Sequence, residues 1–144
     1  MTNDGFYKFV TLRDAELRAG IRRAKDLGRF VMLKPHIDLL RNSRPDGLYW
    51  RGDVGCGHGA DGSRPFSAAD WASWFASYRN MSLKYAALAE QEGVEMLSIN
   101  CELYCANRQS AHWRSIVAAV RQFFSGKLTE AAMPQVAPAL PSRR

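Results

Sequence analysis

Apolar residues recur along this chain at two spacings, and each spacing predicts a different kind of element. Three segments carry apolar residues three or four positions apart, which is typical of a helix with one buried face. The first segment follows Thr11 and Asp14, a pair that resembles a capping box, and the second opens with "SAAD". The predicted helices cover about residues 12–27, 67–92 and 109–124, and they end before Gly28, Gly93 and Gly126.

Short apolar runs without a helical period alternate with these helices, and they predict strands. The runs are "FVML" at 30–33, "VEMLSIN" at 94–100 and "KLTEAAM" at 127–133, with "GFYKFV" at 5–10 as a candidate fourth strand. The continuous run at 30–33 indicates a strand that is buried on both faces of a parallel sheet. The order helix, strand, helix, strand, helix, strand predicts an α/β fold with right-handed crossovers.

Two segments of the chain show neither pattern. Residues 36–66 form a predicted loop with six glycines, and their mixture of charged and aromatic residues is more typical of a functional loop than of disorder. Residues 134–144 contain three prolines and no periodic pattern, which predicts a disordered tail. The predicted organisation is therefore one domain over residues 1–133, followed by a tail over residues 134–144.

Composition and charge exclude several classes of protein. Hydrophobic residues make up 47% of the 144 residues, which is ordinary for a globular domain. The net charge is +6, but basic residues are scattered and alternate with acidic ones, so no nucleic-acid partner is predicted. No apolar run approaches the ~18 residues of a membrane span, and the first residues lack a signal-peptide pattern. As written, the chain is expected to be cytoplasmic, with no membrane partner. Three cysteines without a CxxC pair predict no disulfide framework.

Polar side chains follow two strands that are consecutive in the predicted sheet. The segment "KPHID" follows the first strand, and "NCEL" follows the second. Ligands bind beyond the carboxyl ends of the strands in parallel sheets, so this edge is the predicted site. The candidate residues are Glu102 for catalysis and His36, Asp38, Trp50, Arg51 and Asn100 for substrate binding.

These residue types favour the chemistry of sugar hydrolysis. A glutamic acid at a strand end can give a proton to a leaving oxygen, and Trp50 offers a flat apolar face to a sugar ring. Asn100 could accept or donate a hydrogen bond, either with the carboxyl group of Glu102 or with a substrate hydroxyl. From the pattern alone, Glu102 could equally cap the next helix or pair with a lysine, and His36 could be a structural histidine.

A metal site is the other chemistry that the loop suggests. His36, Asp38, Cys56 and His58 could supply ligands, but their spacing fits no standard site. The glycine-rich "GCGHGADG" is followed by no Lys-Ser or Lys-Thr pair, so it does not predict a phosphate loop. No metal and no cofactor are therefore expected.

Several longer segments of the chain resemble glycoside hydrolase family 113. These segments are "VMLKPHIDLL", "YWRGDVG", "WASWFASYRNMSLKYAALAEQEGVEMLSINCEL" and "HWRSIVAAVRQFFSGKLTEAA", and together they cover roughly residues 10–132. The resemblance implies a (β/α)8 TIM barrel of the endo-β-1,4-mannanase type. Such a barrel needs roughly 200–250 residues, so the implied fold is a partial, incomplete barrel with about strands 3 to 5 and their helices.

The resemblance also implies roles for particular residues. Glu102 falls at the acid/base glutamate, at the end of barrel strand four. His36 and Asp38 would lie at the end of strand three and, with Trp50 and Arg51, would line the substrate cleft. Members of the family are retaining enzymes that act on β-linked polysaccharides such as mannan. Their nucleophile is a second glutamate near the end of strand seven, which is expected to be missing from this chain.

The sequence departs from the family pattern at two places. The family usually reads Gly-Thr-Glu-Leu where this chain reads Asn100-Cys101-Glu102-Leu103, and the resemblance stops after Ala132. A chain without the nucleophile is expected to be inactive when isolated. The alternatives are a non-catalytic carbohydrate-binding remnant, an inactive truncated gene product or an unrelated open α/β domain. Open sheet edges would also favour self-association.

Overall fold

The computed structural model describes residues 12–37, 51–57 and 64–131, which form three helices that alternate with three strands. The elements are α1 (Asp14–Asp26), β1 (Met32–Leu33), α2 (Ala68–Gln91), β2 (Met96–Cys101), α3 (Ser110–Val120) and β3 (Lys127–Ala131). The strands lie in the order β1-β2-β3, and both pairs are parallel. The α/β fold with a parallel sheet is therefore confirmed. The candidate strand at 5–10 and the predicted tail lie outside the described residues.

Local side chains determine where the helices begin. Ser67 is the N-cap of α2, as predicted: its hydroxyl accepts a hydrogen bond from the Asp70 amide, and the Asp70 carboxylate accepts one from the Ser67 amide at 2.8 Å. The N-cap of α1 is instead Arg13, whose backbone N–H donates to Glu16 at 2.9 Å. The predicted capping box, with Thr11 as N-cap and Asp14 three residues later, was therefore wrong by two residues, and Thr11 lies outside the described residues.

Two of the three predicted glycine stops are confirmed. Gly28 and Gly93 follow α1 and α2 with φ of 66° and 63°, a left-handed conformation that glycine adopts at little cost. The third prediction was wrong, because α3 ends at Val120 and the chain continues through tight turns to Phe124. Gly126 serves close packing there, since a side chain at this position would overlap the Phe124 ring.

The core lies between the sheet and helices α2 and α3, and its centre is aromatic. The Trp113 ring lies edge-on to Phe75 and Tyr78, with ring centroids 5.1 and 5.4 Å apart. The Tyr78 hydroxyl donates a hydrogen bond to the Ile99 carbonyl at 3.0 Å, and burial raises the pKa of this hydroxyl. These contacts fix α2 against β2, which places the end of β2 relative to the helices. None of the helices in the described residues is long and apolar enough to span a membrane.

Strand β1 differs from the prediction of a strand buried on both faces over residues 30–33. It is only two residues long, and the side chains of Phe30 and Met32 are exposed. The physical reason is its position, because among the described residues β1 pairs on one side only, with β2, at one edge of their three-stranded sheet. Such an edge fits the expected self-association, which stays a prediction.

Helix α1 is attached to the C-terminal end of α2 by a buried carboxylate. The Glu92 side chain is only 5% exposed, and it accepts hydrogen bonds from Arg18 at 2.6 Å and from Arg22 at 2.7 and 2.9 Å. The basic face of α1, which the sequence presents as scattered charge, is therefore partly an interface. These hydrogen bonds, first from Arg22 and then from Arg18, hold the pKa of Glu92 at about 2, below its usual 4.5.

This depressed pKa predicts an acid-dependent loss of stability. Because the folded state binds the Glu92 proton less tightly than the unfolded state, the contribution is present above about pH 4.5 and is lost towards pH 2. In Glu92→Gln this part of the pH dependence is expected to disappear, and the melting temperature at pH 7 is expected to fall. Thermal unfolding followed by circular dichroism from pH 7 to pH 2 tests both effects. The control is Asp26→Asn, since Asp26 has no ion-pair partner among the described residues. If the melting temperature of Glu92→Gln depended on pH as that of the wild type does, the Glu92 carboxylate would not be the source of the acid-dependent loss of stability.

Candidate active site

Glu102 is the first residue after β2, and an unusual backbone conformation turns it out of the strand. Its φ is 56°, and no other non-glycine residue of the described segments has a positive φ. This left-handed conformation costs a side-chain-bearing residue about 1 kcal/mol or more. It is held in place because the Glu102 amide donates to the Ala131 carbonyl at the end of β3, at 2.9 Å. The chain therefore keeps a strained carboxylate at the carboxyl edge of the sheet, a placement common at functional sites.

Arg51 is the side chain that contacts the Glu102 carboxylate. Its Nη1 lies 2.7 Å from Glu102 Oε2, and its Nε donates to the Ile37 carbonyl at 2.9 Å. The Arg51 side chain is 17% exposed, whereas that of Glu102 is 38% exposed. Glu102 Oε1 has no hydrogen-bond partner among the described residues. The structure thus brings two predicted site residues together, and Arg51 engages one of the two carboxylate oxygens of Glu102.

Asn100 lies at the same edge, but its partners differ from those expected. Its side chain is buried, with the residue 1% exposed, and Nδ2 donates to Asn107 Oδ1 at 3.2 Å and to Glu130 Oε2 at 3.3 Å. The predicted bond to Glu102 is not formed, because β2 ends at Cys101 and the left-handed turn at Glu102 breaks the alternation of side chains.

The carbonyl oxygen of the Asn100 side chain is buried, and it has no hydrogen-bond partner within the part of the chain that the structure describes. Buried acceptors are nearly always satisfied in folded proteins, by protein groups or by a bound donor. Asn100 Oδ1 is therefore a place where a ligand hydroxyl or a water molecule would gain a hydrogen bond. The predicted role in binding a substrate hydroxyl stays a prediction.

The other predicted site residues are only partly described. His36 follows β1 at the same edge, and its side chain is exposed. Asp38 and Trp50 lie outside the described residues, so their predicted roles stay predictions. No group of three histidine, cysteine, aspartate or glutamate side chains within residues 12–37, 51–57 and 64–131 could hold a metal ion.

The segment that carries Arg51 is held close to the end of β2. It begins with a 3-10 turn over Arg51–Asp53, and the Gly52 carbonyl accepts a hydrogen bond from the Cys105 amide at 3.1 Å. Gly55 has φ of 75° and lies against the Trp71 ring, so the segment also rests on the start of α2. The position of Arg51 is thus determined by β2 and by α2 together.

A disulfide bond between Cys56 and Cys105 reinforces this arrangement. The sequence predicted no disulfide framework, and that prediction was wrong. The two cysteines are 49 residues apart and their Cα atoms are 5.6 Å apart, within the range that a disulfide spans. Two of the three cysteines form this disulfide, and the third, Cys101, is a buried free thiol. No local motif reveals such a pair, since only the fold brings its members together.

Two further residues of the described segments lie at this edge. Glu130 lies in β3, one residue before the strand ends, and Asn107 lies in the 3-10 turn Ala106–Arg108. Both contact the buried amide of Asn100. The strand-end rule that selected Glu102 would also have found Glu130, whereas nothing in the sequence marks Asn107.

Comparisons with known proteins add an independent line of evidence. Residues 2–135 match the profile of Glycoside Hydrolase Family 113. A family 113 β-1,4-mannanase in a complex structure is 33% identical, with a TM-score of 0.66 over 82% of this chain and 35% of its own. The family 113 β-mannanase AaManA from Alicyclobacillus acidocaldarius, in complex with ManMIm, is also 33% identical, with a TM-score of 0.66. That match covers 87% of this chain and 37% of the mannanase. No curated protein matches the chain. The chain thus spans little more than a third of the length of these mannanases.

Proposed function

Because this chain belongs to glycoside hydrolase family 113, we propose that it is the part of a β-mannan hydrolase that carries the catalytic acid/base, Glu102. Its three parallel strands and their helices form part of a (β/α)8 barrel. The observation that carries the proposal is the position of Glu102, at the carboxyl end of the central strand in a strained conformation and 2.7 Å from Arg51. Active sites of such barrels lie at this end of the strands.

In the proposed retaining reaction, Glu102 moves one proton in each direction. Its protonated carboxyl group gives the proton to the glycosidic oxygen while a second carboxylate attacks the anomeric carbon and the C–O bond breaks. The Glu102 carboxylate then takes a proton from the water that hydrolyses the glycosyl-enzyme. Arg51 holds Oε2, and we assign this proton transfer to Oε1, which has no partner among the described residues. We assign the second carboxylate to a later barrel strand, outside the roughly one third of the mannanase length that this chain spans.

The neighbouring groups suit a polyhydroxylated substrate. Asn100 Oδ1 is a buried acceptor without a donor, which a sugar hydroxyl could supply. His36 and Arg51 are proposed substrate contacts because the family resemblance implies that they line the substrate cleft. Asp38 and Trp50 are proposed as contacts for the same reason. We assign Trp50 to stacking on a sugar ring, because an aromatic face packs well against the apolar side of a pyranose.

The test is saccharide binding by the 144-residue chain. Titration with a manno-oligosaccharide, followed by 1H–15N NMR, is expected to show saturable shifts at Glu102 and Asn100. Trp50→Ala is expected to weaken binding, whereas Phe123→Ala, which removes an exposed aromatic side chain after α3, should not. A folded chain that shows no shifts at millimolar saccharide would contradict the proposal.

Non-catalytic carbohydrate binding is a second candidate, and one observation favours it. The two carboxylates at the described strand ends, Glu102 and Glu130, are both engaged by protein side chains, namely Arg51 and Asn100. Because a protein side chain already holds each carboxylate, neither Glu102 nor Glu130 is placed as a free nucleophile. In a complete barrel that contains this segment, release of new reducing ends from mannan separates the two functions, since a non-catalytic protein would bind saccharide and release none.

A further inference from the structure

We propose that the disulfide bond between Cys56 and Cys105 positions Arg51 against Glu102, so that both cysteines are positioning residues for the acid/base. The contact itself is a property of the structure, and its consequence for sugar binding rests on the proposed function. Breaking the bond is expected to release Arg51 from the carboxylate while the sheet and helices stay folded.

The two cysteines stand very close in sequence to the two charged residues. Cys56 follows Arg51 by five positions, and Cys105 follows Glu102 by three. The disulfide therefore joins the two short segments that carry the ion pair, and it limits how far Arg51 can separate from Glu102. The hydrogen bond from the Cys105 amide to the Gly52 carbonyl, at 3.1 Å, joins the same two segments.

The ion pair is not strong enough to hold this arrangement alone. Glu102 is 38% exposed, and partly exposed ion pairs contribute little because water screens the charges and both side chains lose freedom. Glu102 must also remain in a left-handed backbone conformation, which costs free energy and persists only where the surrounding structure holds it. A covalent link between the two segments opposes both tendencies, since it limits how far Arg51 can separate from the end of β2.

Reduction by a dithiol such as dithiothreitol provides a reversible way to remove the link. One thiolate of the reagent attacks a cysteine sulfur, the S–S bond breaks, and the released cysteine thiolate takes a proton. The second thiolate then displaces the other cysteine, which also takes a proton, and leaves the reagent as a cyclic disulfide. The products are two protein thiols and one oxidised reagent molecule.

The readout is the Nη1–H signal of Arg51 in 1H–15N NMR spectra of the 144-residue chain, since Nη1 contacts Glu102 whereas Nε donates to the Ile37 carbonyl. In the oxidised protein we expect a separate, slowly exchanging signal, because Nη1 is held by the carboxylate; Arg51→Lys assigns it. In the Cys56→Ala/Cys105→Ala variant and in the reduced wild type, this signal should merge with the averaged arginine signals. The Cys101→Ala variant is the control, since Cys101 is outside the disulfide. Its Arg51 signal should be separate in the oxidised protein and should merge with the averaged signals after reduction, as in the wild type.

Saccharide affinity gives a second readout. In the disulfide-free forms, loss of one hydrogen bond between a positioned Arg51 or Glu102 side chain and the saccharide is expected to raise the Kd for a manno-oligosaccharide about 5-fold. A separate Arg51 signal in either disulfide-free form would overturn the proposal. If the double variant does not fold, the reduced wild type decides, and unfolding on reduction would also overturn it by showing a role in the whole fold. If no form binds saccharide, the proposed function fails, while the Arg51 signal still decides this inference.

Discussion

In a complete family 113 barrel that contains this segment, Glu102→Gln is expected to lower kcat on β-1,4-mannan by about 10²- to 10⁴-fold. Glutamine has nearly the same shape, and its carbonyl oxygen can still accept the hydrogen bond from Arg51 that the structure shows at 2.7 Å. It cannot give a proton to the leaving oxygen, so the loss falls on the chemical step. Steady-state kinetics on mannan, with folding checked by circular dichroism, measure the effect.

The leaving group distinguishes loss of the acid from general damage to the site. The acidic phenol of an aryl mannoside needs little protonation when it leaves. Glu102→Gln should therefore slow the first chemical step much less on this substrate than on mannan. Glu95→Gln is the control, because Glu95 lies before β2, at the opposite end of the same strand, and pairs with Lys25. An unchanged rate on mannan, or equal losses on both substrates, would remove Glu102 from the role of proton donor.

Much of the fold could be predicted because its signals are local. The start of α2 depends on Ser67 and Asp70, three residues apart, and the stops at Gly28 and Gly93 depend on single residues. Strand β1 could not be predicted with its correct burial, since exposure at a sheet edge depends on which strands lie beside it.

The candidate site shows the same division between local and distant information. Glu102 could be placed at a strand end, because the order of elements fixes which end of a parallel strand faces the ligand. Its contact with Arg51 joins residues 51 positions apart, and the disulfide joins residues 49 apart. Such contacts follow from packing of the whole domain. The left-handed conformation of Glu102 has no sequence signal either, because glutamate seldom adopts it.

Gly55→Ala is expected to lower the free energy of unfolding by about 2–5 kcal/mol and to displace the segment that carries Arg51. Gly55 has φ of 75°, where a side chain costs about 1–2 kcal/mol. The added methyl group would also overlap the Trp71 ring, and overpacking of this kind costs about 1–3 kcal/mol. Trp71 is buried and touches Phe66 and Phe75, so it has little room to move.

Gly20→Ala is the matched control, because Gly20 lies within α1 with nothing near its missing side chain. There the same substitution is expected to raise the free energy of unfolding by about 0.5–1 kcal/mol, since alanine loses less backbone freedom in a helix. Urea unfolding of the two variants gives both values. The opposite signs would show that the segment of Arg51 depends on close contact between Gly55 and Trp71. Equal, small effects would mean that this segment can shift at Gly55 without cost, and the contact between Arg51 and Glu102 would then not depend on close packing between Gly55 and Trp71.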